Sequence, residues 1–272
     1  MATTSRQQAK IEFVSEEGGV VVEIDGVGQS YINLENPTFL AFDYLERIAD
    51  FLDAIDEPGW RYRTIHVGGA GMSLARYQAA TRPTSPQIVL EPNEQLTALV
   101  REKLPLPPRS GIKVRAQDGR SGLSAMRDDF AKAIVIDAFA GASVPKELAT
   151  VEFYTICRRV CLPDGVVLVN LIDQRPFNWA RRTIAAIAKV FSEVAVVAET
   201  RILNQPRFGN LVVAASNVEL PIAEVNRMSR RAIFPHRVIT NVEHFIAGAK
   251  PFYDADSEES PVGSAAGALR FT

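Results

Sequence analysis

The stretch Thr64-Ile65-His66-Val67-Gly68-Gly69-Ala70-Gly71-Met72-Ser73 decides the fold. A short β-type run, Thr64 to Val67, breaks into a glycine turn, and helical spacing begins near Ser73. Glycines Gly68, Gly69 and Gly71 permit the sharp reversal and let the backbone come close to a ligand. The N-terminus of the helix that follows favours negative or electron-rich groups by about 0.3–1 kcal/mol. A strand-to-helix turn that binds nothing has the same sequence. The last glycine also falls too early for the Gly-x-Gly-x-x-Gly dinucleotide motif.

Outward from that turn, β-type runs alternate with helical segments. The further strands expected are Gln87 to Leu90, Ile112 to Ala116, Ala133 to Ile136, Val166 to Leu171, Val194 to Ala198 and Leu211 to Ala215. Such alternation predicts an α/β domain with a parallel sheet covered on both faces. The last connection, Glu199 to Asn210, contains Pro206 and Gly209 and no helical repeat. It is short for a parallel crossover and suits a hairpin. The seventh strand should therefore run antiparallel to the sixth, an arrangement that resembles the methyltransferase-type Rossmann fold.

Upstream, Ile11 to Leu34 holds short apolar runs split by Gly18-Gly19 and Asp25-Gly26, read as a small β-hairpin or meander. So few strands are marginal alone and must dock on the main domain or on a second subunit. Phe39 to Ile55 has the apolar spacing of an amphipathic helix. From Lys250 the chain is rich in Asp, Glu, Ser, Gly and Ala and reads as a tail. The expected organisation is a β element over residues 1–38, a Rossmann-like α/β domain over 39–249, and a flexible tail over 250–272.

The 272 residues are 47% hydrophobic and 23% charged, enough for one full core, and the net charge of -2 supplies no general attraction for nucleic acid. No apolar run approaches the ~20 residues that span a bilayer, and the polar start lacks a signal core. A cytoplasmic protein without membrane or nucleic-acid partners is expected. Cys157 and Cys161 are read as reduced and structural, four apart in a helical-looking stretch and so expected to share a helix face. Neither they nor His66, His236 and His244 have metal-ligand spacing, so no metal is expected. The cations from Arg227 to Arg237 read as a solvated face.

In an open parallel sheet, ligands bind beyond the carboxyl ends of the strands. The second strand ends at Glu91, about twenty residues after the glycine turn, where an acid commonly accepts hydrogen bonds from ribose hydroxyls. The third ends in Gln117-Asp118-Gly119, where Asp118 suits either an adenine amino group or the N-cap of a helix.

The same residues carry a family resemblance. Asp25-Gly26-Val27-Gly28-Gln29 resembles the Asp-Gly-Val-x-Gln of spermidine synthases, the polyamine aminopropyltransferases. Phe42-Asp43-Tyr44-Leu45-Glu46 resembles their Phe-x-Tyr-x-Glu, and the glycine turn, Glu91 and Asp118-Gly119 follow in the family's order. By that resemblance Gln29, Gly68, Gly69, Gly71, Glu91, Asp118 and Gly119 bind the donor, decarboxylated S-adenosylmethionine. Asp137, at the end of the fourth strand, is the implied catalytic aspartate that positions the acceptor amine and accepts its proton, and Tyr44 orients the same amine. The chain departs from the family after Asp137, where Ala138-Phe139-Ala140 lacks the second acid of Asp-x-x-Asp. In this it resembles divergent spermidine synthase-like proteins. Two other functions remain open at this point: a methyltransferase using intact S-adenosylmethionine, and a noncatalytic nucleoside-binding homologue. The resemblance and the small β element needing cover also predict a homodimer.

Overall fold

The computed structural model describes residues 10–262. The N-terminal element is a three-stranded antiparallel meander of β1 (Ile11–Glu16), β2 (Gly19–Ile24) and β3 (Val27–Ile32). Asp25 and Gly26 turn β2 into β3 with φ of 52° and 77°, the left-handed pair that a two-residue hairpin needs. The meander docks on the main domain rather than standing free. Val22 and Ile32 pack with Met72, Ala75 and Val89, and Ser73 Oγ donates to the Tyr31 carbonyl at 2.9 Å.

After helix α1 (Asp43–Ala54) come β4 (Thr64–Val67), α2 (Ser73–Thr81), β5 (Gln87–Leu90), α3 (Glu94–Lys103), β6 (Ile112–Arg115), α4 (Gly119–Ser124) and β7 (Ala131–Ile136). The second half has α5 (Val151–Val160), β8 (Cys161–Asp173), α6 (Asn178–Ala188), β9 (Glu193–Glu199), α7 (Thr200–Asn204), β10 (Gly209–Ser216), α8 (Ile222–Ser229), β11 (His236–Ile239) and α9 (Val242–Phe245). The sheet order is β11-β9-β10-β8-β7-β4-β5-β6, with β10 antiparallel to both β8 and β9. Both faces are covered: Ile65, Val67, Leu90 and Ile136 belong to one buried cluster, and Ala133, Val135, Leu168 and Val197 to another.

The α/β class and the antiparallel hairpin strand agree with the sequence reading, but the large sheet has eight strands rather than seven. The extra strand, His236–Ile239, pairs antiparallel with the outer edge of β9. It lies among the cations read as a solvated face, and His236 Nε2 meets Asp43 Oδ2 at 2.6 Å. The connection expected to lack helix carries the short α7.

Residues 250–262 also differ from the expected tail. Phe252 is fully buried and its carbonyl accepts from Val151 N–H. Trp179 Nε1 donates to the Glu258 carbonyl, and Ser260 Oγ accepts from Val144 N–H at 2.8 Å. One buried ring and these bonds fasten a polar strap that composition alone gives no reason to place; residues 263–272 of the expected tail lie outside the described residues. Cys157 sits in α5 but Cys161 begins β8, so they do not share a helix face; both are free and buried. No helix among the described residues is long and apolar enough to cross a membrane.

Candidate active site

At the carboxyl ends of β4, β5 and β7 a cleft of about 540 Å³ opens, closed on one side by the meander. Its lining includes Gln29, Tyr44, Gly68, Gly69, Glu91, Asp118, Gly119 and Asp137, residues drawn from six separate segments of the chain. Gly71 is the exception. Its N–H donates to Ser30 Oγ at 3.0 Å, and a Cβ there would meet Ile32 Cδ1 at 2.1 Å. That glycine leaves room for the meander and is not among the lining residues.

The other glycines hold backbones close together. Gly68 has φ of 88°, and a Cβ on it would lie 2.1 Å from the Asp137 carbonyl oxygen. The turn after β4 is thus packed against the turn after β7, whose Asp137 N–H donates to the Val67 carbonyl. A Cβ on Gly119 would meet Val67 Cγ1 at the same distance, 2.1 Å.

Glu91 ties the glycine turn to its own loop. Oε2 accepts from Gly69 N–H at 3.0 Å and Ala70 N–H at 3.2 Å, while Oε1 accepts from Asn93 N–H at 2.9 Å. Each carboxylate oxygen can accept more than one bond, so acceptor capacity remains on the cleft side. Asp118 caps α4, Oδ1 accepting from Ser121 N–H at 2.9 Å. That backbone bond holds its carboxyl below the usual range. The capping role is observed, and the same residue also lines the cleft.

Asp137 is held differently. Oδ2 accepts from the Tyr44 hydroxyl at 3.1 Å and Oδ1 from Asn170 Nδ2 at 2.8 Å. Burial pushes its carboxyl up, and the two hydrogen bonds oppose that rise. The Tyr44 phenol is pushed well above its ordinary value by burial and by Asp137 beside it. Asn170 is buried in β8 and its Oδ1 accepts from Asn210 Nδ2 at 2.9 Å, so the amide is fixed from behind. Sequence reasoning missed Asn170. Its signal was a lone polar residue in the apolar run Val166 to Leu171, which burial obliges to find partners.

Charge is one-sided here. Asp25, Glu91, Asp118, Asp137 and Glu147 line the cleft, with no Lys or Arg among the described lining residues. His66, also lining it, is neutral at physiological pH because burial lowers its pKa to about 4.

No family model matches the chain. A polyamine aminopropyltransferase of Chromobacterium violaceum is 25% identical over 209 residues, covering 75% of this chain and 74% of that protein. Another from Neisseria meningitidis is 26% identical over 227 residues, covering 80% and 81%. Among solved structures, a probable spermidine synthase from Corynebacterium glutamicum aligns with a TM-score of 0.84 at 27% identity, over 93% of this chain and 97% of that one. A spermidine synthase in complex with the transition-state analogue AdoDATO aligns with a TM-score of 0.60 at 16% identity, over 91% and 79%. Human methyltransferase-like protein 13, in complex with SAH, shares the fold with a TM-score of 0.57 at 15% identity, over 79% and 96%. In sequence and fold together the chain is similar to polyamine aminopropyltransferases and spermidine synthases, and its main domain has a methyltransferase-type Rossmann fold.

Proposed function

We propose that the protein transfers an aminopropyl group from decarboxylated S-adenosylmethionine to a small amine. The observation that carries this reading is the cleft's charge: five carboxylates and no Lys or Arg side chain. Decarboxylated donor is a sulfonium with a terminal ammonium, and the acceptor is a further cation. Intact S-adenosylmethionine would bring a carboxylate that needs a cation or free backbone amides. Two amides of the glycine turn, Gly69 and Ala70, already donate to Glu91.

In this reading Glu91 accepts from the ribose hydroxyls and Asp118 from the adenine amino group. Asp137 aligns the acceptor amine, with Tyr44 and Asn170 fixing both carboxylate oxygens. The acceptor ammonium first gives up a proton, for which a carboxyl raised by burial is a better base than an exposed one. The free amine then attacks the methylene beside sulfur, the carbon–sulfur bond breaks, and its electron pair stays on sulfur as methylthioadenosine leaves. The absent second acid after Asp137 leaves a distal ammonium of the acceptor without a carboxylate in this loop, which favours an acceptor other than a long polyamine.

Calorimetric titration with decarboxylated and intact donors tests the reading, followed by product analysis with a panel of monoamines and diamines. Decarboxylated donor should bind at least tenfold more tightly, since a charge-assisted contact contributes about 1.5–3 kcal/mol. Preference for the intact donor, or methylated products, would overturn aminopropyl transfer.

A further inference from the structure

His66 is a buried imidazole, 4% exposed, in β4 two residues before the glycine loop, and its place in the cleft has no use in the scheme above. Its tautomer is fixed from behind. Gln87 Nε2 donates to the Ala75 carbonyl at 3.0 Å, which turns Gln87 Oε1 toward His66 Nε2 at 2.9 Å. An amide oxygen only accepts, so Nε2 carries the proton and Nδ1 is a bare lone pair. Nδ1 has no hydrogen-bond partner among the described residues, yet it is not one of their sealed, orphaned polar atoms; it therefore opens onto the cleft.

The sheet says which part of the cleft. In β4, His66 is in register with Val89 on one side and Val135 on the other, and neighbours in register share a face. Val135 packs with Leu45 and Leu74, beside Tyr44, so this is the face where Tyr44 meets Asp137. Val67 points to the opposite face, toward Gly119 and the Asp118 end. The His66 lone pair thus lies between the glycine turn and Asp137, away from the Asp118 end.

We propose that His66 is a positioning residue for the donor: Nδ1 accepts a hydrogen bond from the primary ammonium of the aminopropyl arm and disfavours a carboxylate at the same place. The assignment rests on the function proposed above. A neutral acceptor suits the task, because it adds no further negative charge to a cleft already holding five acids, while a lone pair set against a carboxylate is repulsive. Burial supports this by keeping the imidazole unprotonated through the neutral range.

Calorimetry on the wild type, His66→Leu and His66→Asn, with decarboxylated donor, intact donor and methylthioadenosine, tests it. Methylthioadenosine has no ammonium and reports the rest of the site. His66→Leu should lose about tenfold in affinity for decarboxylated donor and leave methylthioadenosine binding within about twofold, the size of one bond to a charged group. His66→Asn sets an amide oxygen near the Nδ1 position and should recover part of the loss, which keeps the test decisive if the leucine variant folds poorly. Equal weakening of donor and methylthioadenosine in both variants, or no change in either, would overturn the assignment while leaving the function intact. A wild type that binds methylthioadenosine but does not prefer decarboxylated donor would instead refute the function, and the role of His66 with it.

Discussion

The two halves of the cleft hold their carboxylates by different means. On the glycine-turn side, Glu91 and Asp118 are fixed by backbone N–H groups, two of them only two or three residues away in sequence. On the other side Asp137 is fixed by side chains, Tyr44 lying 93 residues away and Asn170 lying 33 away. Backbone amides arrive with the turn and need only glycines and a cap. Side-chain donors must be delivered by tertiary packing, so the Asp137 half depends on the whole sheet being assembled. That half is also where burial raises a carboxyl, whereas the exposed Asp118 is lowered by its amide bond.

The largest expected effect breaks the comparison at its chemical end. Asp137→Asn keeps the shape, since an amide can accept from Asn170 and donate to Tyr44, so nucleoside binding should persist. Turnover should fall about a thousandfold, the loss of a positioned general base. In the wild type, turnover should climb with pH through a value above the ordinary carboxylate range, because only ionised Asp137 accepts a proton. The stability effect has the opposite slope. A carboxyl raised in the folded state contributes stability that is full below its unfolded pKa and lost as pH rises through the folded one, and Asp137→Asn removes that slope. Single-turnover rates and urea midpoints across pH measure both; unchanged turnover would take Asp137 out of the mechanism.

Next in size is the seam that joins the halves. Gly68→Ala puts a Cβ 2.1 Å from the Asp137 carbonyl oxygen at a φ of 88°. Overpacking together with left-handed strain should cost about 3 kcal/mol, read as a lowered urea midpoint. A loss under about 1 kcal/mol would mean that the two turns yield independently and that Asp137 is not placed by the glycine loop.

The same contrast explains what was legible in the sequence. Glycine turns, strand-end acids and continuous apolar β-type runs are local signals, and they located the strands and the residues at their carboxyl ends. Gly71 had the same signal as Gly68 and Gly69, but its small size serves the meander, a partner more than thirty residues upstream. Asn170 showed only as a lone polar residue in an apolar run, and its partners, Asn210 and Asp137, become visible only once β8, β10 and β7 are adjacent. β11 was missed because four residues among arginines give no periodicity, and strap residues 250–262 because one buried Phe252 decides their placement.

The smallest expected effect sharpens the glycine-turn half, where one residue both caps a helix and lines the cleft. Asp118→Asn preserves the cap, since asparagine ranks with aspartate at that position, and should leave stability within a few tenths of a kcal/mol. Asp118→Ala removes it and should cost about 1 kcal/mol. If Asp118 also receives an amino group of the nucleoside, both variants should weaken methylthioadenosine binding, the asparagine by severalfold because a neutral oxygen accepts less strongly than a charged one. Binding that tracks stability alone, lost in the alanine and intact in the asparagine, would make Asp118 a cap that happens to face the cleft. The backbone-held half would then contact the nucleoside through Glu91 and the glycine turn, and the capping amides that lower the Asp118 carboxyl would be serving α4 rather than the ligand.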